Sequence, residues 1–172
     1  EDIGGEPEET VAYGIGDYML SDGTFVKNAE LTDDNKSKVV AVIFSKQVSE
    51  ADAEDGYNAY AMGLWRVKGK FGFADEVGTG ANTFAEALAD MDGRANTALM
   101  IASDYYKNLG ADVKPGSVLD IVESYGESYK VASAVSSDWF LPSFGQLIEV
   151  ANNLGGAGIT SSTEVESSNV NS

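Results

Sequence analysis

The sequence predicts a single α+β domain, and three observations carry that expectation. Lys38 to Ser45 is an unbroken β-branched and apolar run; Thr83 and Ser143 each open a capping box; and strand-like sequence stands on both sides of the helical middle. The 172 residues suit one domain, or one domain with tails, and suffice for a real core. Hydrophobic residues at 43% and charged residues at 23% are ordinary globular values, so wholesale disorder is not expected.

Taken in order, residues 1–10 hold five acidic side chains, two glycines and a proline, with no apolar period. Residues 1–12 are therefore read as an acidic linker or leader, 13–159 as the folded domain, and 160–172 as a Ser/Thr/Asn-rich end. Two short apolar pieces, Tyr18 to Leu20 and Thr24 to Val26, flank Ser21-Asp22-Gly23 and predict a hairpin, because Gly23 accepts the positive φ of a tight turn. Glu30 to Ser37 reads as a loop, and Lys38 to Ser45 as a central strand buried on both faces. Residues 46–56 read as an acidic loop. From Tyr57 to Phe71 the sequence alternates, with Trp65, Val67 and Phe71 on one face and Arg66, Lys68 and Lys70 on the other, which predicts a half-exposed strand.

Thr83 and Glu86 start a helix carrying Phe84, Leu88 and Met91 at i, i+4 and i+7. A second helix is expected from Asn96 to Leu109, with Leu99, Ala102, Tyr106 and Leu109 as its apolar stripe and Gly110 as its end. Ser117 to Tyr125 suggests a short helix stopped by Gly126, and Tyr129 to Val135 another strand. Ser143 and Gln146, just after Pro142, cap a last helix whose expected apolar face is Phe144, Leu147, Ile148, Ala151 and Leu154.

Composition removes many functions. With 28 acidic against 11 basic residues, a net charge of −17, the chain lacks the cations for a phosphate-binding face, so nucleic acid is not an expected partner. Without Cys there is no disulfide or thiolate chemistry, and without His no imidazole base or ligand. No apolar run reaches the roughly 18–20 residues of a membrane span. The start at Glu1 rather than Met suits a processed product or a fragment.

The remaining chemistry is thin. Ala51 to Gly56 has the look of a calcium loop, but Ala51 and Ala53 fall where oxygen ligands are required. Asp90-Met91-Asp92-Gly93 and Asp33-Asp34-Asn35 read as solvated turns, so no metal site is assigned and calcium has no motif behind it. A Ser or Thr nucleophile would lack its usual base, and no Ser-x-x-Lys occurs. The glycines at 14, 16, 78 and 80 form no phosphate loop. An enzyme is not expected. Arg66, Lys68 and Lys70 offer an anion or acidic-partner site, against the blander reading of a solvated, edge-protecting strand face. Tyr57, Tyr60, Trp65, Tyr105, Tyr106 and Trp139 have faces that suit sugar rings, although their spacing matches buried stripes.

Trp139-Phe140-Leu141-Pro142-Ser143 followed by Gln146-Leu147 resembles the W-x-L-P-S/T-x-x-E-L signature of the Lcl-type C-terminal domain, a C-type-lectin-like fold related to the formylglycine-generating sulfatase-modifying enzymes. Gly16-Asp17-Tyr18 through Ser21-Asp22-Gly23-Thr24 resembles the opening hairpin of versions common in Bacteroidales surface and phage proteins. Val39 to Phe44 is similar to its first core strand, Asp92-Gly93 and Asn96-Thr97 to the lead into its helix, and Ser161-Ser162-Thr163-Glu164 to a late turn. The matches span about residues 14–164. Gln146 stands where the family has Glu, which keeps the cap.

The resemblance implies a short twisted antiparallel sheet with two or three helices. In the family, two strands follow the late turn; here the sequence stops at Ser172, so the expectation is that either the sequence is truncated or those closing strands are absent or supplied by another chain. It also implies a non-enzymatic binding or adhesive module, exposed on a cell, a pilus-like tip or a virion, with a carbohydrate or protein ligand held by loops. Candidate ligand-binding residues are then Arg66, Lys68, Lys70, Ser161, Ser162 and Glu164. Asp22, Gly23, Trp139, Leu141, Pro142, Ser143, Gln146 and Leu147 are expected to be structural. The alternative is a structural subunit of a virion or filament, assembled by strand or surface complementation.

Overall fold

The hairpin forms where the Asp-Gly turn predicts it. The strands β1 (Tyr18–Leu20) and β2 (Phe25–Val26) pair antiparallel, with Gly23 at φ 86° between them. Asp22 accepts from the Thr24 amide at 3.0 Å and from its hydroxyl at 2.6 Å, and those bonds hold the Asp22 carboxyl below its usual range. The β-branched run becomes β3 (Val39–Ser45), in which all seven residues are buried. With β4 (Tyr60–Gly63) it completes a four-stranded antiparallel sheet in the order β2-β1-β3-β4. The computed structural model describes residues 13–70, 80–132 and 136–160.

Among those residues seven α-helices accompany the sheet, which makes the domain α+β. Two of them fall where loops were expected. The helices α1 (Asp33–Lys36) and α2 (Glu50–Glu54) are single turns, capped by Thr32 and Ser49, and too short to show an apolar period in sequence. Both predicted capping boxes are present, Thr83 with Glu86 opening α3 (Phe84–Ala89) and Ser143 with Gln146 opening α7 (Phe144–Asn153).

The expected helix 96–109 is two helices, α4 (Gly93–Ala102) and α5 (Asp104–Lys107). Ser103 divides them: its hydroxyl donates to the Met100 carbonyl at 2.7 Å and accepts the Tyr106 amide at 3.2 Å, closing one helix and capping the next. The break also rearranges the stripe. Tyr106 is buried, whereas Leu99 and Ala102 are exposed and Thr97 takes the inner face of α4.

The helix expected to stop at Gly126 continues as α6 (Val118–Ser128). A Cβ on Gly126 would lie 3.4 Å from the Trp139 ring, an ordinary contact distance, and this glycine sits inside the helix without ending it. Tyr129 to Ala132 is not a strand, and residues 133–135 of that expected strand lie outside the described residues.

Candidate functional site

A cavity of about 740 Å³ lies between one face of the sheet and α6. The register Met19↔Ala41↔Gly63, with Met19↔Phe25 and Ile43↔Ala61, puts these six side-chain positions on the same face, and all six line the cavity. The opposite wall is the i, i+3, i+4, i+7 stripe of α6, namely Val118, Ile121, Val122 and Tyr125, each half-buried. The sequence suggests a helix here but does not single out this stripe, since nothing local ties it to the sheet.

Aromatic rings close one end. Trp65 stacks on Tyr129 with centroids 5.8 Å apart and planes at 12°. Tyr125 contacts Tyr129 at 4.6 Å and meets the Trp139 ring edge-on at 4.9 Å. Two hydrogen bonds fix the group: Trp139 Nε1 donates to the Tyr129 carbonyl at 2.9 Å, and the Tyr125 hydroxyl donates to the Trp65 carbonyl at 3.1 Å. Gly63 permits this arrangement, since a Cβ there would lie 2.6 Å from the Tyr125 hydroxyl and 3.1 Å from Trp139. Trp65 remains 56% exposed, its outer face open at the cavity rim.

The rim at the α2 side is polar. Arg94 Nε donates to Asp52 at 2.5 Å, its terminal nitrogen bonds Asp55, and its guanidinium lies 5.1 Å from the Tyr57 centroid. The bonds to Asp55 and then Asp52 raise the Arg94 pKa, so it stays charged. Tyr60 donates to Asp52 at 2.6 Å, and burial, then that bond, push its phenol up. Tyr13 bonds Asn58, stacks on Phe25 at 4.3 Å, and carries Lys46 Nζ 5.0 Å over its ring. Burial raises the phenols of Tyr13 and Tyr125 as well, so Tyr13, Tyr60 and Tyr125 stay protonated hydrogen-bonding groups well above neutral pH.

Of the expected ligand residues, Arg66, Lys68 and Lys70 do not line this cavity. Strand β4 ends at Gly63, so Arg66, Lys68 and Lys70 share no strand face; they lie exposed on the segment leading away from the sheet. The alternation persists in sequence, but past Gly63 the segment is held by Trp65 against Tyr125 and Tyr129 and by a single bridge, where the Lys70 amide donates to the Gly116 carbonyl at 3.0 Å and the Val118 amide to the Lys70 carbonyl at 3.1 Å. Phe71, and Ser161, Ser162 and Glu164, lie outside the described residues.

Trp139 packs on the Met19, Val40 and Ala41 cluster, the Leu141 amide donates to Thr97 Oγ1 at 2.9 Å, and Ser143 and Gln146 are buried at the start of α7. Leu147 differs: it is 49% exposed and lines the cavity. The rest of the predicted α7 face departs in part, with Ile148 and Ala151 half-buried as an inward face requires. Phe144 and Leu154 are exposed, while Gly145 and Gln146 are buried and Glu149 reaches Ser45 at 3.1 Å. Among the other singled-out aromatics, Tyr60 and Tyr106 are buried, and Tyr57, Trp65 and Trp139 line the cavity.

Among the described residues, no group of three or more carboxylate, His or Cys side chains could hold a metal ion, and no helix is long and apolar enough to cross a membrane. The chain matches no protein-family model, no curated protein and no solved structure.

Proposed function

We propose that the chain is a non-enzymatic binding module, of C-type-lectin-like type, displayed on a cell or virion surface and holding a carbohydrate or protein ligand. The observation that carries this reading is the cavity of about 740 Å³ between the sheet and α6, within the roughly 300–1,000 Å³ typical of ligand pockets. Its walls are largely apolar and aromatic, and Arg94, Asp52 and Asp55 on its rim are already paired with one another. Such a surface favours retention of a ligand over turnover. The Trp139 motif supports the fold assignment by resemblance, with its side chains in supporting roles.

Screening the full chain against glycan and protein arrays, beside a Val122→Trp variant that fills the cavity, tests this reading. The expected result is a ligand bound by the parent chain and lost by a variant with unchanged circular dichroism and melting temperature. A flat screen, or a ligand indifferent to the filled cavity, overturns it.

A second reading, a structural subunit of a virion or filament, is favoured by one surface feature. Phe84 and Phe144 meet edge-on at 5.7 Å, both 40% exposed, at the paired N-termini of α3 and α7. Sedimentation across a concentration series tests it: Phe144→Ser is expected to lower the association state, and a parent chain that stays monomeric throughout rules the reading out.

A further inference from the structure

Resting on the reading of the cavity as a binding site, we propose that its ligand is a cation with an apolar body, the body lodged between the sheet and α6 and the cationic head over the open face of Trp65. Three observations converge on that chemistry.

The first is the wall. Ala41, Ile43, Ile121 and Val122 give it an apolar surface that rewards burial of an alkyl or aliphatic group. The second is what the rim already does with aromatic rings. Two of them carry cations from the chain itself, Lys46 over Tyr13 at 5.0 Å and Arg94 over Tyr57 at 5.1 Å. Trp65 is a third rim ring, stacked by one face on Tyr129 and 56% exposed. Indole is the strongest of the aromatic faces toward a cation. The third is charge. The ionisable lining residues other than tyrosines are Asp52, Asp55, Asp138 and Arg94, so carboxylates outnumber the single guanidinium that two of them neutralise. The net charge of −17 adds a field that draws cations and repels anions.

The shared chemistry, a quaternary or primary ammonium beside an apolar group, is found on free amphiphiles and on lysine-bearing protein segments. Calorimetry on the full chain separates head from body with three eight-carbon probes below their micelle limits: octyltrimethylammonium, octanoate and octyl glucoside. A short alternating leucine–lysine peptide is the protein-segment arm, and whichever cationic probe binds tighter names the source.

Octyltrimethylammonium is expected to bind at least about tenfold tighter than octanoate at low salt, the gap narrowing as salt rises. Trp65→Ala is expected to cut that preference roughly three- to tenfold. Asp33→Asn, at a 95% exposed carboxylate outside the cavity, is expected to leave it unchanged. Equal binding of octanoate, or a preference untouched by Trp65→Ala, overturns the inference. Octyl glucoside binding as tightly as the cation overturns it too, while leaving the cavity a binding site. Failure of all four probes removes both readings.

Discussion

Gln146 Nε2 donates to the main-chain carbonyl of Met91 at 2.8 Å, joining the start of α7 to the residues that lead into α4. Its Oε1 accepts from the Ser143 amide at 3.0 Å, so one fully buried side chain both closes the capping box and ties two helices together. Only an amide does both at neutral pH. Gln146→Glu keeps the acceptor but replaces the donor with a buried carboxylate oxygen facing a carbonyl. We expect a loss of about 2 kcal/mol or more at pH 7. Burial raises the carboxyl pKa of the variant, and protonation restores a donor. Its deficit should therefore shrink as pH falls toward 5, as urea unfolding at the two pH values would reveal. A deficit independent of pH would mean that the Met91 bond contributes little.

The same joint depends on two glycines. A Cβ on Gly93 would lie 2.7 Å from the Leu141 carbonyl oxygen and the Ser143 nitrogen, and one on Gly145 would lie 2.6 Å from the Leu88 carbonyl oxygen. These neighbours are backbone and cannot rotate away. Alanine normally favours a helix interior by about 1 kcal/mol over glycine, yet Gly145→Ala is expected to destabilise by about 1–3 kcal/mol because overpacking dominates. A melting temperature at or above that of the parent chain would show that the helices separate at little cost.

These two contacts mark the limit of what the sequence discloses. The Asp22-Gly23 hairpin, the β3 run and the capping boxes at Thr83 and Ser143 were legible because each is decided by residues within a few positions of one another. The alternation from Trp65 to Lys70 misled because a period of two fits any extended segment, and this one lacks a ladder beyond Gly63. The stripe of α7 misled for a related reason. Its Phe144 and Leu147 were counted as core, yet the tie to the sheet runs through Glu149 to Ser45 and Asn153 to the Phe44 carbonyl. At the candidate site, Trp65 and Trp139 were singled out, but the cavity between them depends on residues more than fifty positions apart meeting across Gly63.

Arg94 offers a test of the polar rim. Asp52 is 3% exposed and accepts from both Arg94 and Tyr60. Arg94→Ala leaves that carboxylate without its cation, and a loss of roughly 2–4 kcal/mol is expected, below the value for a fully enclosed pair because the Arg94 side chain keeps 32% of its exposure. Arg94→Lys should recover only part, since one ammonium cannot reproduce the planar fork shared between Asp52 and Asp55. Asp55 is 56% exposed, so Asp55→Asn should cost under about 1 kcal/mol. Denaturant midpoints for the three variants check the order; equal losses at Asp55 and Arg94 would contradict it.

Alkaline pH should open the fold from its phenols. Burial, followed by the 2.7 Å bond to Glu123, raises the pKa of Tyr106, and burial is also the main cause at Tyr13, Tyr60 and Tyr125. A raised folded-state value means that the native chain holds these protons more tightly than the unfolded chain, where the ordinary value is 10.0. The stabilisation is thus complete below pH 10 and is lost as pH rises through the folded-state values. Ultraviolet titration of phenolate should show a late group of tyrosines ionising together with the loss of circular dichroism. Tyr106→Phe removes one member of that group and should reduce the late phenolate amplitude. If all eight tyrosines instead titrate in one step near pH 10 with the fold intact, Tyr106 and Tyr60 are not held as their carboxylate bonds require.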